Sequence, residues 1–98
     1  MNFKLQITSE AKKQLEDIMS ASSKKGLRKQ LKKALRLLSE NPKHPGLNSH
    51  SLQGAEESLG LKVWASYVQN KTPKAHRILW TYSKLGKEII ILQVIPHY

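Results

Sequence analysis

At 98 residues, with 17 Lys and Arg against 7 Asp and Glu, the chain carries a formal net charge of +10 and a sequence pI near 10.0. The absence of Cys excludes a disulfide framework, a thiol nucleophile and a Cys-based zinc site. No apolar run approaches the roughly 20 residues that span a bilayer, and the alternating start Met1–Ile7 lacks the apolar core of a secretory signal. One soluble, cytoplasmic domain over residues 1–98 is therefore expected. So much positive charge points to a polyanionic partner, with nucleic acid ahead of an anionic membrane. Composition alone does not separate RNA from DNA, or either from an acidic protein.

In chain order, Asn2 to Ile7 reads as a short strand with Phe3, Leu5 and Ile7 on one side. Thr8-Ser9-Glu10-Ala11 offers a hydroxyl N-cap followed by an acid in the first turn, and Ala11, Leu15, Ile18 and Met19 then recur at helical spacing to about Ser20. After Ala21-Ser22-Ser23, a second helix runs to Glu40 on the apolar stripe Leu27, Leu31, Ala34, Leu35 and Leu38. Asn41-Pro42 ends it, because proline disfavours helix at the residue before it and has no N–H to donate.

The second helix also carries Lys24, Lys25, Arg28, Lys29, Lys32, Lys33 and Arg36, and no acid occurs between Ile18 and Ser39. Ion pairs within the helix are therefore not expected to neutralise it. Two readings of this face are open: a solvated face that keeps a basic protein soluble, and a landing surface for a phosphate backbone or an acidic partner. Residues 42–60 are rich in loop formers, with a short strand around Ser49 to Gln53.

Three strands follow between Leu61 and Tyr98, joined by Gln69–Lys74 and by a Ser83–Lys87 hairpin, with Pro96 ending the last. The order β-α-α-β-β-β-β predicts an α+β fold in which two N-terminal helices pack on one face of a small, mostly antiparallel sheet. By parity, one face of the last three strands collects Val63, Ala65, Tyr67, Ile78, Trp80, Tyr82, Ile90, Leu92 and Val94, and is expected to meet the helices. The other collects Lys62, Trp64, Ser66, Arg77, Leu79, Thr81, Ile91, Gln93 and His97 and is expected to stay open.

A core does not need Lys, Arg, Gln and His gathered on its far side. Such a set suits cleavage of RNA without a cofactor or a metal, since the ribose 2′-OH is already a nucleophile beside the scissile phosphorus. The protein has to remove its proton, stabilise the added phosphoryl charge and protonate the departing 5′ oxygen. Imidazole, which titrates at about pH 6.5 when unperturbed, suits either proton transfer. Arginine takes phosphate oxygens bidentately, and lysine adds a point charge. Trp64 offers a face for stacking an unpaired base. Each residue also has a structural use: His97 as an ordinary histidine of the chain end, Arg77 as a partner for Glu88, Trp64 as cover for Leu79 and Ile91, Tyr98 as an apolar lid.

Several stretches taken together resemble the RelE/ParE superfamily of toxins from bacterial toxin–antitoxin systems. They are Asn41-Pro42-Lys43-His44-Pro45-Gly46-Leu47, His50-Ser51-Leu52-Gln53-Gly54, Lys62-Val63-Trp64, Ala75-His76-Arg77-Ile78-Leu79-Trp80 and Ile95-Pro96-His97-Tyr98. The resemblance covers nearly the whole chain. It implies a RelE-like fold, ribosome-dependent cleavage of mRNA in the A site, a 2′,3′-cyclic phosphate or its 3′-phosphate product with a 5′-OH, and a cognate acidic antitoxin as partner. It puts Arg77 on the phosphate-stabilising strand arginine and His97 with Tyr98 on the terminal His-Tyr pair of the YoeB-like branch. It puts Lys62 on a strand lysine of the RelE branch and His50 on a histidine that some branches use. Gly46 stands where the YoeB-like branch has a loop Glu, so the general base falls to His97 or His50. Trp64 stands where the RelE branch has a second lysine. On this resemblance Lys25, Arg28, Lys29, Lys32, Lys33 and Arg36 would hold ribosomal RNA, and Trp64 and Gln93 the substrate. Poisoning of DNA gyrase, as by ParE-type members, and non-catalytic RNA binding are the alternatives on the same scaffold.

Overall fold

The computed structural model describes residues 2–21, 25–54, 58, 60–69 and 75–96. Strand β1 (Lys4–Ile7) leads into helix α1 (Ser9–Ser20), and helix α2 (Lys25–Glu40) follows. A 3-10 turn (Pro45–Leu47) and strands β2 (His50–Ser51), β3 (Trp64–Tyr67), β4 (His76–Tyr82) and β5 (Glu88–Pro96) complete the order. The expected connection at Ser22-Ser23, Lys24 of the basic helix, most of the Gln69–Lys74 link, and His97 and Tyr98 lie outside the described residues.

The five strands form one sheet in the order β1-β5-β4-β3-β2, with β1 parallel to β5 and the other neighbours antiparallel. The parallel pair follows from the helices, which carry the chain from the end of β1 across the sheet. Thr8 begins α1 as read: its hydroxyl accepts from the Ala11 N–H at 3.2 Å and donates to the Leu92 carbonyl at 3.0 Å. Where β1 stops, α1 continues along the edge of β5, and the Gln14 side chain accepts from the Val94 N–H at 2.6 Å. Leu27, Leu31, Ala34 and Leu38 are buried against the sheet, with Leu35 half-buried, so the stripe of α2 lies where its spacing put it.

Strand β3 is turned over relative to the parity expectation. Its register sets Trp64 against Trp80 and Ser66 against Ile78, so these residues share the helix-bearing face, while Ala65 and Tyr67 lie against Leu79 and Arg77 on the other. The Trp64 and Trp80 rings stack at 5.8 Å. The Trp80 indole N–H donates to Ser66 Oγ at 2.8 Å, the Ser66 and Ser49 hydroxyls lie 2.6 Å apart, and Ser49 donates to the Pro42 carbonyl at 2.7 Å. Trp80 is 1% exposed, so its indole N–H needs an acceptor, and Ser66 is the residue that brings one into the core.

Strand β5 changes parity along its length. Leu79 faces Gln93 but Trp80 faces Ile91, so one extra residue on β5 forms a bulge. Ile89, Ile91 and Val94 are buried in the core, instead of Ile90, Leu92 and Val94 as parity alone implied. Nor is the second face fully open. Val63 and Ala65 are buried although they point to it, and Val63 lines a hollow of about 440 Å³ with Leu52, Leu79, Leu92 and the Thr8–Glu10 corner.

Candidate active site

Strand β4 places Arg77 on the sheet face away from the helices, against Tyr67 of β3 on one side and Ile95 of β5 on the other. Its Nε is shielded from solvent and finds no hydrogen-bond partner among the described residues. A buried donor left unpaired costs about 1–3 kcal/mol, which an acceptor docking there would recover. Glu88, an alternative partner for Arg77, is engaged elsewhere: it accepts from Gln6 at 2.6 Å and lies 3.9 Å from the Lys4 ammonium.

His50 of β2 pairs with Ala65, which puts it on the same face, and its ring lies 5.8 Å from that of Tyr67. Its Nδ1 is 3.2 Å from the Asn48 carbonyl. A carbonyl only accepts, so Nδ1 carries the proton and the neutral ring keeps a lone pair on Nε2, the form a proton acceptor needs. Asn48 sits in the left-handed region (φ 47°) at the end of the 3-10 turn, and this turn delivers His50 to the sheet edge.

The other candidates separate. Lys62 and Trp64 were expected beside Arg77, but Trp64 stacks on the core side, and the Lys62 ammonium lies 4.9 Å over its ring. The sheet stands between this cation–π pair and Arg77. Gln93 is on the Arg77 side, but its amide donates to Glu10 at 2.9 Å. His97 and Tyr98 lie outside the described residues, and the strand that leads to them ends with Ile95 beside Arg77 and Pro96 beside His76. Tyr67 is the residue that sequence reasoning missed, since alternation assigned it to the core. The signal that would have moved it is the need of Trp80 for a buried hydroxyl, which Ser66 meets only if Tyr67 faces outward.

On the helix-bearing side, Lys25, Lys29, Lys32 and Lys33 are exposed along α2. Arg28 instead donates to the Met19 carbonyl at 3.1 Å, closing the end of α1. Arg36 pairs with Glu40 at 3.2 Å, so the expectation of no neutralising pair within this helix fails at its last turn. Glu40 lies one residue beyond the acid-free stretch. Among the described residues the remaining ion pair is Lys4–Glu88, and no three His, Asp or Glu side chains cluster to hold a metal ion.

No protein-family model and no curated protein matches the sequence. Solved structures do match the fold. The YoeB/ParE toxin from Agrobacterium tumefaciens superposes with a TM-score of 0.72 at 18% identity, covering 97% of this chain and 99% of that one. YoeB from Staphylococcus aureus, solved as a dimer, gives 0.69 at 14% identity over 100% of both chains. RelE from the archaeal RelE–RelB complex of Pyrococcus horikoshii OT3 gives 0.68 at 17%, covering 98% and 96%. Two helices on one face of a five-stranded mixed sheet, matched end to end in each comparison, give this chain the fold of the RelE/ParE toxins.

Proposed function

We propose that the protein is the toxin of a toxin–antitoxin pair and a metal-independent endoribonuclease that cuts mRNA on the ribosome. The observation that supports this most is the end-to-end likeness to YoeB and RelE toxins, together with Arg77 held with an unpaired donor on the face those helices leave uncovered.

In this reading the Arg77 guanidinium takes the non-bridging oxygens of the scissile phosphate, and its orphaned Nε–H acquires an acceptor. His50 Nε2 or the His97 imidazole removes the 2′-OH proton. The oxygen attacks the adjacent phosphorus, and the bond to the 5′ oxygen breaks. The second imidazole protonates that leaving oxygen, so a 2′,3′-cyclic phosphate and a 5′-OH result. Tyr98 positions or stacks a base. Lys62, Trp64 and Gln93 act outside the reacting centre, the first two because they occupy the opposite side of the sheet and the third because Glu10 holds it. Lys25, Lys29 and Lys32 of α2, exposed and of one sign, hold ribosomal RNA, and an acidic antitoxin neutralises the protein, a reading that the RelE–RelB complex of the archaeal neighbour supports.

The test is in vitro translation with purified protein, mapping new 5′ ends on the mRNA for wild type, Arg77→Ala and His97→Ala. Cuts confined to the A site and lost in both variants are expected. Intact mRNA, or cutting that survives Arg77→Ala, would sink the assignment. Accumulation of gyrase–DNA cleavage complexes would replace it with the ParE-type activity.

A further inference from the structure

Among the described residues, strand β2 pairs with β3 at Trp64 and Ala65, and the Leu52 N–H donates to the Val63 carbonyl alongside. Beyond that pairing, the end of β3, α2 from Gln30 to Glu40 and the 3-10 turn line a trough of about 720 Å³. Its two walls differ in chemistry. The helix wall presents Lys33 and Arg36, with Gln30 beside them, and its acid, Glu40, is already bound to Arg36. On the strand side it is lined by Tyr67 and Gln69, and at the 3-10 turn by His44, with Ala34, Leu37, Leu47 and Val68 as its apolar lining. His44 Nδ1 accepts from the Gly46 N–H at 2.9 Å, so the neutral ring carries its proton on Nε2 and has that donor to offer. Tyr67 belongs to both surfaces: it lines the trough, and on the catalytic face it lies against Arg77 in register and 5.8 Å from the His50 ring.

We infer that this trough is a subsite for one nucleotide of single-stranded RNA flanking the scissile bond, with its base on Tyr67 and its phosphate on Lys33. The inference rests on the nuclease reading for the nature of the strand. Segregated walls suit a nucleotide, which has an anionic edge and a flat π-face with hydrogen-bonding edges. An acidic peptide, charged along both sides, would leave the aromatic and amide wall without a partner. Lys33 is moreover an exposed cation of α2 that lines the same trough as Tyr67, the residue in register with Arg77.

The experiment is fluorescence anisotropy of a labelled, uncleavable 2′-O-methyl tetranucleotide on the full chain. Lys33→Glu and Tyr67→Ala are compared with Lys87→Glu, an equal charge change at an exposed residue of the β4–β5 hairpin. Stacking of one base predicts that Tyr67→Ala weakens binding about tenfold, with Tyr67→Phe close to wild type. Loss of one phosphate contact predicts that Lys33→Ala lowers the slope of log affinity against log salt by about 0.7. Circular dichroism and urea unfolding identify any variant that fails to fold. If both trough variants bind like Lys87→Glu, the subsite does not exist. If a hexaglutamate peptide binds tighter than the tetranucleotide in a Lys33-dependent way, the trough is a protein-docking surface and the inference is wrong. Trough-dependent binding by a protein that leaves translated mRNA intact would remove the nuclease reading and keep the subsite. Cleavage without trough-dependent binding would do the reverse.

Discussion

Ser66→Ala is the substitution that most directly probes why the candidate site has the residues it has. Ser66 is fully buried, and its hydroxyl both accepts from the Trp80 indole and meets Ser49. Ser49 spends its own proton on Pro42, so the 2.6 Å contact is Ser66 donating to Ser49, and the relay runs in one direction with each proton placed. Removing Oγ leaves the Trp80 N–H unpaired where water does not reach, at a cost of about 1–3 kcal/mol. Ser49 is half-buried and keeps its bond to Pro42, so its loss adds little. A total of about 2 kcal/mol corresponds to a fall of about 1 M in the urea midpoint for a domain of this size. The assay is urea unfolding of wild type, Ser66→Ala, Trp80→Phe and the double variant. With the indole N–H absent, Ser66→Ala should cost less than about 1 kcal/mol, giving a coupling of about 1–2 kcal/mol. A Ser66→Ala protein within about 0.5 kcal/mol of wild type, or an undiminished cost in the Trp80→Phe background, would refute the reasoning. The same relay turns Tyr67 outward, so a destabilised Ser66→Ala protein should also lose affinity for the tetranucleotide.

Thr8→Ala removes both the cap on Ala11 and the bond to Leu92, and should cost about 1–2 kcal/mol in thermal or urea unfolding, most of it recovered by Thr8→Ser. Burial against Phe3 and Trp80 holds the Tyr82 phenol above its ordinary 10.0. The unfolded chain therefore ionises first. The contribution is complete below about pH 10 and falls as pH climbs through the higher folded value. The stability of wild type relative to Tyr82→Phe should accordingly drop between pH 9 and pH 11 (about one unit either side of the ordinary value), and a constant difference would contradict the burial argument. Arg77→Ala should lower cleavage by about 100-fold or more while costing less than about 1 kcal/mol of stability, because it deletes a buried donor that has no partner. Arg77→Lys should restore only part of the activity, since it keeps the charge and loses the fork. A large loss of stability in Arg77→Ala would mean that Arg77 has a structural partner.

Much of the fold was legible because it depends on local signals. The Thr8 cap, the α2 stripe and the stop at Asn41-Pro42 each rest on a few neighbouring residues whose chemistry admits one arrangement. Arg77 could be placed for the same reason: β4 has Ile78 and Trp80 on one side and Arg77 and Thr81 on the other, so its sides differ in kind. Alternation gives two sides to every strand, but it names the buried one only where the sides differ. On β3 they hardly do. Val63 and Ala65 compete with Trp64, and the choice was made by an indole 16 residues downstream of Trp64 that stacks on it and needs the hydroxyl of Ser66. On β5 a single bulge between the partners of Leu79 and Trp80 exchanged Leu92 for Ile91 in the core. The sequence by itself therefore determined the elements, their order and the strand that carries Arg77. Tertiary structure decided that Tyr67 stands beside it and His50 beyond Tyr67 on the same face, instead of Lys62 and Trp64, because a strand's facing is settled by the partners it meets across the sheet.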